Sequence, residues 1–121
     1  MKRDMELIRQ ILLSVENEAG EFAPYPITVE GYTSQQIAYH SRLLIEVGFT
    51  RGQVTIERNS DSCHAVIESL TWEGHEFLDA ARNDTRWKKV MAALAEKGET
   101  VTIGVLQGLL VAAMKAAVGL P

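Results

Sequence analysis

One stretch constrains the fold more than any other. Residues 34–47 carry an amphipathic helical pattern that stops at Gly48 and runs almost at once into two alternating segments joined by a polar turn. Thr33 or Ser34 can cap the helix, because a hydroxyl there accepts a bond from an otherwise unpaired first-turn N–H. Gly48 suits the left-handed stop. On a helical wheel Ile37, Ser41, Leu44 and Ile45 gather on one side, while Gln35, Tyr39, Arg42 and Glu46 point the other way. Val54-Thr55-Ile56-Glu57 alternates apolar and polar, Arg58-Asn59-Ser60-Asp61-Ser62 turns, and residues 63–70 read as the return strand. The spacing predicts a β-hairpin directly after a helix.

The flanks are mostly helical. Met5, Ile8, Ile11, Leu12 and Val15 recur at helical spacing, predicting a first helix over 3–19 ended by Gly20. A loop with Pro24 and Pro26 follows. Ile27-Thr28-Val29-Glu30 then alternates up to Gly31, which predicts a short strand. Beyond the hairpin, Thr71 caps a third helix carrying Phe77, Leu78 and Ala81. Asn83-Asp84-Thr85 reads as a break and a new cap. A fourth helix turns Trp87, Val90, Met91 and Leu94 inward and closes at Gly98, and residues 101–118 form a fifth, apolar nearly all round. The expected fold class is α+β, mainly α. It has a core of helix, strand, helix and β-hairpin over 1–83 and a helical tail over 84–121, packed on that core or on a second copy.

Helix followed by hairpin is the order of the recognition helix and wing in a winged helix. Leu43-Leu44-Ile45-Glu46-Val47-Gly48-Phe49 resembles the end of a winged-helix recognition helix, and Leu70-Thr71-Trp72-Glu73-Gly74 resembles the step from the second wing strand into the next helix. More closely, Met1-Lys2-Arg3-Asp4-Met5-Glu6-Leu7-Ile8-Arg9, Ile37-Ala38-Tyr39-His40 and the run from Leu70 to Asp84 together resemble a bacterial and phage-borne family described as domain of unknown function 2513. The resemblance covers almost the whole chain. It implies a winged-helix-like fold and carries over no site residues. The segment between the first two helices is shorter than in ordinary winged helices, where a further helix braces the recognition helix.

Charge limits the functional classes. A net charge of -4 excludes a surface that is basic throughout. Neither residues 1–70 nor 71–121 carry a basic excess, so only a local patch could meet a polyanion. The single cysteine, Cys63, leaves no intramolecular disulfide and points to a reducing compartment, and the charged N-terminus lacks the apolar core of a signal peptide. The expected location is the cytoplasm.

Two groupings resemble chemistry. His75-Glu76-Phe77-Leu78-Asp79 puts a histidine and an aspartate one helical turn apart beside a glutamate, the layout of two zinc ligands and a base. A third ligand would have to come from His40 or His64. The plainer reading pairs His75 with Asp79 across the turn. Cys63-His64 suggests a nucleophile and its base, yet neighbours on a strand point to opposite faces. With no glycine-rich phosphate loop and no nucleophile elbow, we expect no enzyme, no metal and no cofactor.

The expected function is therefore that of a small DNA-binding transcriptional regulator. Gln35, Gln36, Tyr39 and Arg42 would be presented by the second helix, and Arg51 and Arg58 by the wing. Glutamine and arginine form paired hydrogen bonds with adenine and guanine edges. The alternative is a protein-interaction module on the same fold that binds no DNA. In the last helix Gly104, Gly108, Ala112 and Ala116 recur every four residues, with Leu106, Leu109 and Ala113 beside them. That small-residue stripe invites a second helix, so a homodimer through it is expected. The uncharged run from Val101 to Met114 is too short for the roughly 20 residues of a bilayer span, so no membrane insertion is expected.

Overall fold

The computed structural model describes residues 1–18, 26–57, 63–98 and 100–121. Within them the order is α1 (Met5–Asn17), α2 (Ser34–Val47), β1 (Thr50–Ile56), β2 (Cys63–Leu70), α3 (Trp72–Ala81), α4 (Asp84–Glu96) and α5 (Ile103–Ala117). The chain is α+β and mainly α. It forms two compact units, Met1–His75 and Glu76–Pro121, and the division falls within α3.

In the first unit α1 and α2 pack together and against the hairpin. Leu7, Ile11 and Leu12 of α1 and Leu44 of α2 are essentially without exposed surface, with Ile8, Ile37, Phe49 and Ile67 close behind. Asp4 starts α1: its Oδ1 accepts the N–H of Leu7 and satisfies a donor the helix itself cannot. The start at Met5, two residues after the predicted one, follows from that cap. Thr33 caps α2 through a reciprocal box in which its Oγ1 accepts from Gln36 N–H and Gln36 Oε1 accepts from Thr33 N–H.

Gly48, at φ 85°, ends α2 in the left-handed region. Gly48 N–H then reaches the carbonyl of Ile45, and Phe49 N–H that of Leu44, the two bonds of a Schellman ending. This turn aims the chain straight into β1. The hairpin is antiparallel, with Gln53 opposite Val66 and Val54 opposite Ala65. Its register shifts between Arg51, opposite Ser69, and Gly52, opposite Ile67. A side chain on Gly52 would meet the carbonyl of Val66 at 2.1 Å and Cδ1 of Ile45 at 3.0 Å, so the glycine lets α2 lie close on the irregularity.

Thr71 locks this end of the unit. Its N–H donates to the Phe49 carbonyl, its hydroxyl donates to the Gly48 carbonyl, and its Oγ1 accepts from Gly74 N–H to cap α3. A Cβ on Gly74 would stand 2.0 Å from the Phe49 carbonyl oxygen. The leucine–threonine–x–x–glycine step is thus a backbone joint between the end of α2 and the start of α3.

The strand predicted over 27–30 is not formed; the described sheet has only two strands. Tyr32 N–H bonds the carbonyl of Val29 and Gly31 takes φ 88°, so the segment becomes a turn leading into α2. Four alternating residues are too few to hold an extended conformation once a turn claims one of them. The hairpin turn 58–62 and the loop 21–25 lie outside the described residues.

In the second unit α4 and α5 pack on each other. Asn83 caps α4 through Oδ1 and Arg86 N–H, Trp87 and Leu94 are buried, and Val90 and Met91 are half-buried. Thr102 caps α5. Only Leu106 and Leu110 of α5 are fully buried.

Candidate nucleic-acid interface

The outward face of α2 and the far end of β2 bound an open groove of about 740 Å³ in the first unit. The hairpin runs back along α2, because β1 leaves its C-terminal end and β2 returns beside it. Cys63 and His64 therefore come to stand across from Gln35, Tyr39 and Arg42, and Met1 closes the same groove. The wheel had placed Gln35, Tyr39 and Arg42 on one face, and the structure brings all three to one groove.

Their environments differ. Arg42 Nε donates to Glu46 Oε1 at 3.1 Å, one turn on. That contact offsets its charge but leaves the two terminal nitrogens, the pair a bidentate acceptor would use. Tyr39 packs edge-on against His40, with ring centroids 5.6 Å apart and planes at 80°. Gln36 is half-buried and spends its amide oxygen on the capping box, so it serves the helix start. Arg51 is exposed on β1. Arg58 lies outside the described residues.

Next to Tyr39, His40 belongs to a network that the sequence did not disclose. His40, 1% exposed, accepts the N–H of Asp4 at Nε2 (2.8 Å), while Nδ1 bonds the Gln36 carbonyl (2.7 Å). A carbonyl accepts only, so Nδ1 carries the hydrogen and Nε2 the lone pair. Asp4 Oδ2 accepts the hydroxyl of Tyr32 at 2.9 Å. Burial, and then the hydrogen bond to the Asp4 carboxylate, push the Tyr32 phenol up to about 12. The available signal was the residue pair Asp4 and Leu7, spaced as a cap and its N–H.

The sequence-predicted chemical groupings are not assembled. Asp79 is held by Arg82 and not by His75, which corrects the expected pairing; the arginine lies three residues on and carries a fixed charge. His64 lies 3.5 Å from Glu57. Among the described residues no three His, Cys, Asp or Glu side chains are grouped to hold a metal.

On α5 one expectation is corrected as well. Leu106 has no exposed surface and belongs to the core, so it is not open to a partner helix. Gly104, Gly108, Leu109, Ala112 and Ala116 are exposed and Ala113 is half-buried. Gly104, Gly108 and Ala112 line a shallow groove with Gln107, Val111 and Lys115. No helix among the described residues is long and apolar enough to cross a membrane.

Fold and groove define a small α+β protein in which a capped helix and a hairpin present polar side chains to one open face. Residues 2–100 match the family described as "Hypothetical protein (DUF2513)", and the chain belongs to that family. It is 34% identical over 110 residues to an uncharacterized protein of Haemophilus influenzae, covering 88% of this chain and 90% of that one. No solved structure gives a significant match.

Proposed function

We propose that this protein is a winged-helix-like transcriptional regulator that binds double-stranded DNA with the outward face of α2, flanked by the hairpin. The observation carrying the reading is the convergence of Gln35, Tyr39 and Arg42 on one open groove beside the hairpin. A glutamine amide and a guanidinium offer the donor and acceptor pairs that match base edges in a major groove. Glu46 reduces the field of Arg42 without using its terminal nitrogens. The helix then contributes pattern more than net charge. The role involves no catalysis, and a single cysteine, Cys63, which allows no internal disulfide, fits the cytoplasm.

The same reading makes the protein a homodimer through α5, supported by the exposed apolar side chains of Val105 and Leu109 beside Gly104 and Gly108. Regulators of this type read paired half-sites as dimers.

Selection from a random duplex library at low salt, followed by titration of enriched and scrambled duplexes, tests the proposal. Enrichment of one sequence is expected. No enrichment, with only millimolar affinity at about 50 mM salt, overturns it.

A second reading, a protein-interaction module, is favoured by Trp72. Its side chain is 76% exposed at the start of α3, and the Thr71–Gly48 bond brings that start against the end of α2, where Val47 is also exposed. Tryptophan is a frequent anchor of protein interfaces. A partner lost by Trp72→Ala and kept by Arg42→Ala would support this reading over the first.

A further inference from the structure

We infer that the arm Met1-Lys2-Arg3 contacts DNA phosphates at the edge of the α2 groove, an inference that rests on the DNA-binding reading above. The groove itself has no positive excess: Arg42, which lines it, is paired with Glu46, and Glu57 stands 3.5 Å from His64. Phosphate attraction must then come from beside it. Lys2 and Arg3 are exposed, and neither meets an acidic partner among the described residues. Met1, next to them, lines the groove together with Gln35, Tyr39 and Arg42.

The root of this arm is fixed. Asp4 is pinned by three bonds: its carboxylate accepts Leu7 N–H and the Tyr32 hydroxyl, and its own N–H enters His40. Each extended residue spans about 3.5 Å, so the backbone of Arg3 and Lys2 stays within roughly 7 Å of that anchor. His40 in turn packs against Tyr39. One buried ring therefore sets both a groove side chain and the origin of the arm, which keeps two cations at the groove edge at little entropic cost. These cations would touch phosphate and carry no sequence information of their own.

The test is the salt dependence of binding to duplex DNA, read by fluorescence anisotropy on the full chain. The proteins compared are the wild type, the double variant Lys2→Ala/Arg3→Ala, and the charge-conserving double variant Lys2→Arg/Arg3→Lys. Each lost phosphate contact removes about 0.9 from the slope of log K against log salt. The alanine variant should lose nearly two units and weaken selected and scrambled duplexes equally; the charge-conserving variant should keep the wild-type slope. Urea midpoints of all three should coincide, because both residues are exposed and unpaired among the described residues. Wild-type binding with an unchanged slope in the alanine variant overturns the arm and leaves the α2 reading standing. A slope lost equally in the charge-conserving variant also overturns it, since the loss would then not follow charge. A wild type that binds no duplex removes the parent reading and the arm with it.

Discussion

The imidazole of His40 accepts the backbone N–H of Asp4 at 2.8 Å, joining the first residue before α1 to the middle of α2. Asp4 N–H precedes the helix and has no carbonyl four residues back to bond, so a side chain from elsewhere has to satisfy it. The bond spans 36 residues, and its histidine packs against Tyr39 of the face proposed to meet DNA. His40→Leu should cost about 1–3 kcal/mol, the penalty for stranding a buried donor. His40→Gln should recover part of that, because Oε1 can accept in place of Nε2. Urea denaturation of the three proteins decides it, and equal midpoints would remove the anchoring role.

Asp4 itself is separable from that bond. Asp4→Asn keeps a side chain that caps well and leaves the backbone N–H untouched, so it should cost little. Asp4→Ala loses the cap and should cost about 0.5–2 kcal/mol. Equal losses in the two variants would show that the charge on Asp4 matters more than its cap.

Tyr32 supplies a pH signature. Its phenol, ordinarily near 10, is raised to about 12 in the folded protein. The folded state therefore holds the proton more tightly than the unfolded chain. This contribution to stability is fully present below pH 10 and is lost as the pH rises from about 10 toward 12. Spectrophotometric titration of the native protein should show one tyrosine ionising late, and Tyr32→Phe should abolish that step. The variant should also show a smaller fall in stability over the same interval. A late step that survives in Tyr32→Phe would contradict the assignment.

Glycines separate the packed joints from the open helix. Gly74→Ala forces a Cβ against the Phe49 carbonyl, and Gly52→Ala forces one against that of Val66. Both should destabilise by several kcal/mol, toward the upper end for single substitutions. Gly104→Ala meets nothing within 4 Å and should stabilise α5 by about 0.5–1 kcal/mol. Thermal melts of the three variants check the order, and a neutral Gly74→Ala would refute the joint.

The sequence made the elements legible because their signals are local. Gly48 and Thr33 marked the limits of α2, and alternation marked the hairpin, although β1 begins at Thr50, earlier than the alternation starting at Val54 showed. What escaped depended on partners distant in the chain. The strand at 27–30 had the right pattern but no neighbour to pair with. Leu106, expected beside the small-residue stripe, turns into the core. His40 stood out only as a conceivable metal ligand, since nothing within its own helix announces a bond to Asp4. Gln36 was expected among the residues presented to DNA, and only the reciprocal bond with Thr33 shows that it serves the cap.

The homodimer is open to a direct test on α5. Gly108 has free space around it within one chain, so Gly108→Leu should be tolerated by the single chain. If a second α5 packs against the stripe, the same leucine overpacks the approach and should weaken association. Light scattering should find a dimer for the wild type at high micromolar concentration and a monomer for the variant. A monomeric wild type removes the dimer.

The last prediction separates base reading from phosphate holding. Arg42 keeps its terminal nitrogens without a partner among the described residues, open to a bidentate base contact, and Arg51 is exposed on the wing strand, so their loss should differ in kind. Arg42→Ala should cost about 1–3 kcal/mol on the selected duplex and relax its sequence preference. Arg51→Ala should weaken every duplex alike and flatten the salt slope by about one unit. The offsetting of Arg42 by Glu46 adds a third expectation. Glu46→Gln removes a negative charge beside the groove and should tighten binding to selected and scrambled duplexes together, with little change in preference. Titrations of the three variants on both duplexes give all the comparisons. If Arg42→Ala weakens both duplexes equally, α2 does not read bases, and the proposed recognition face is wrong even if the protein binds DNA.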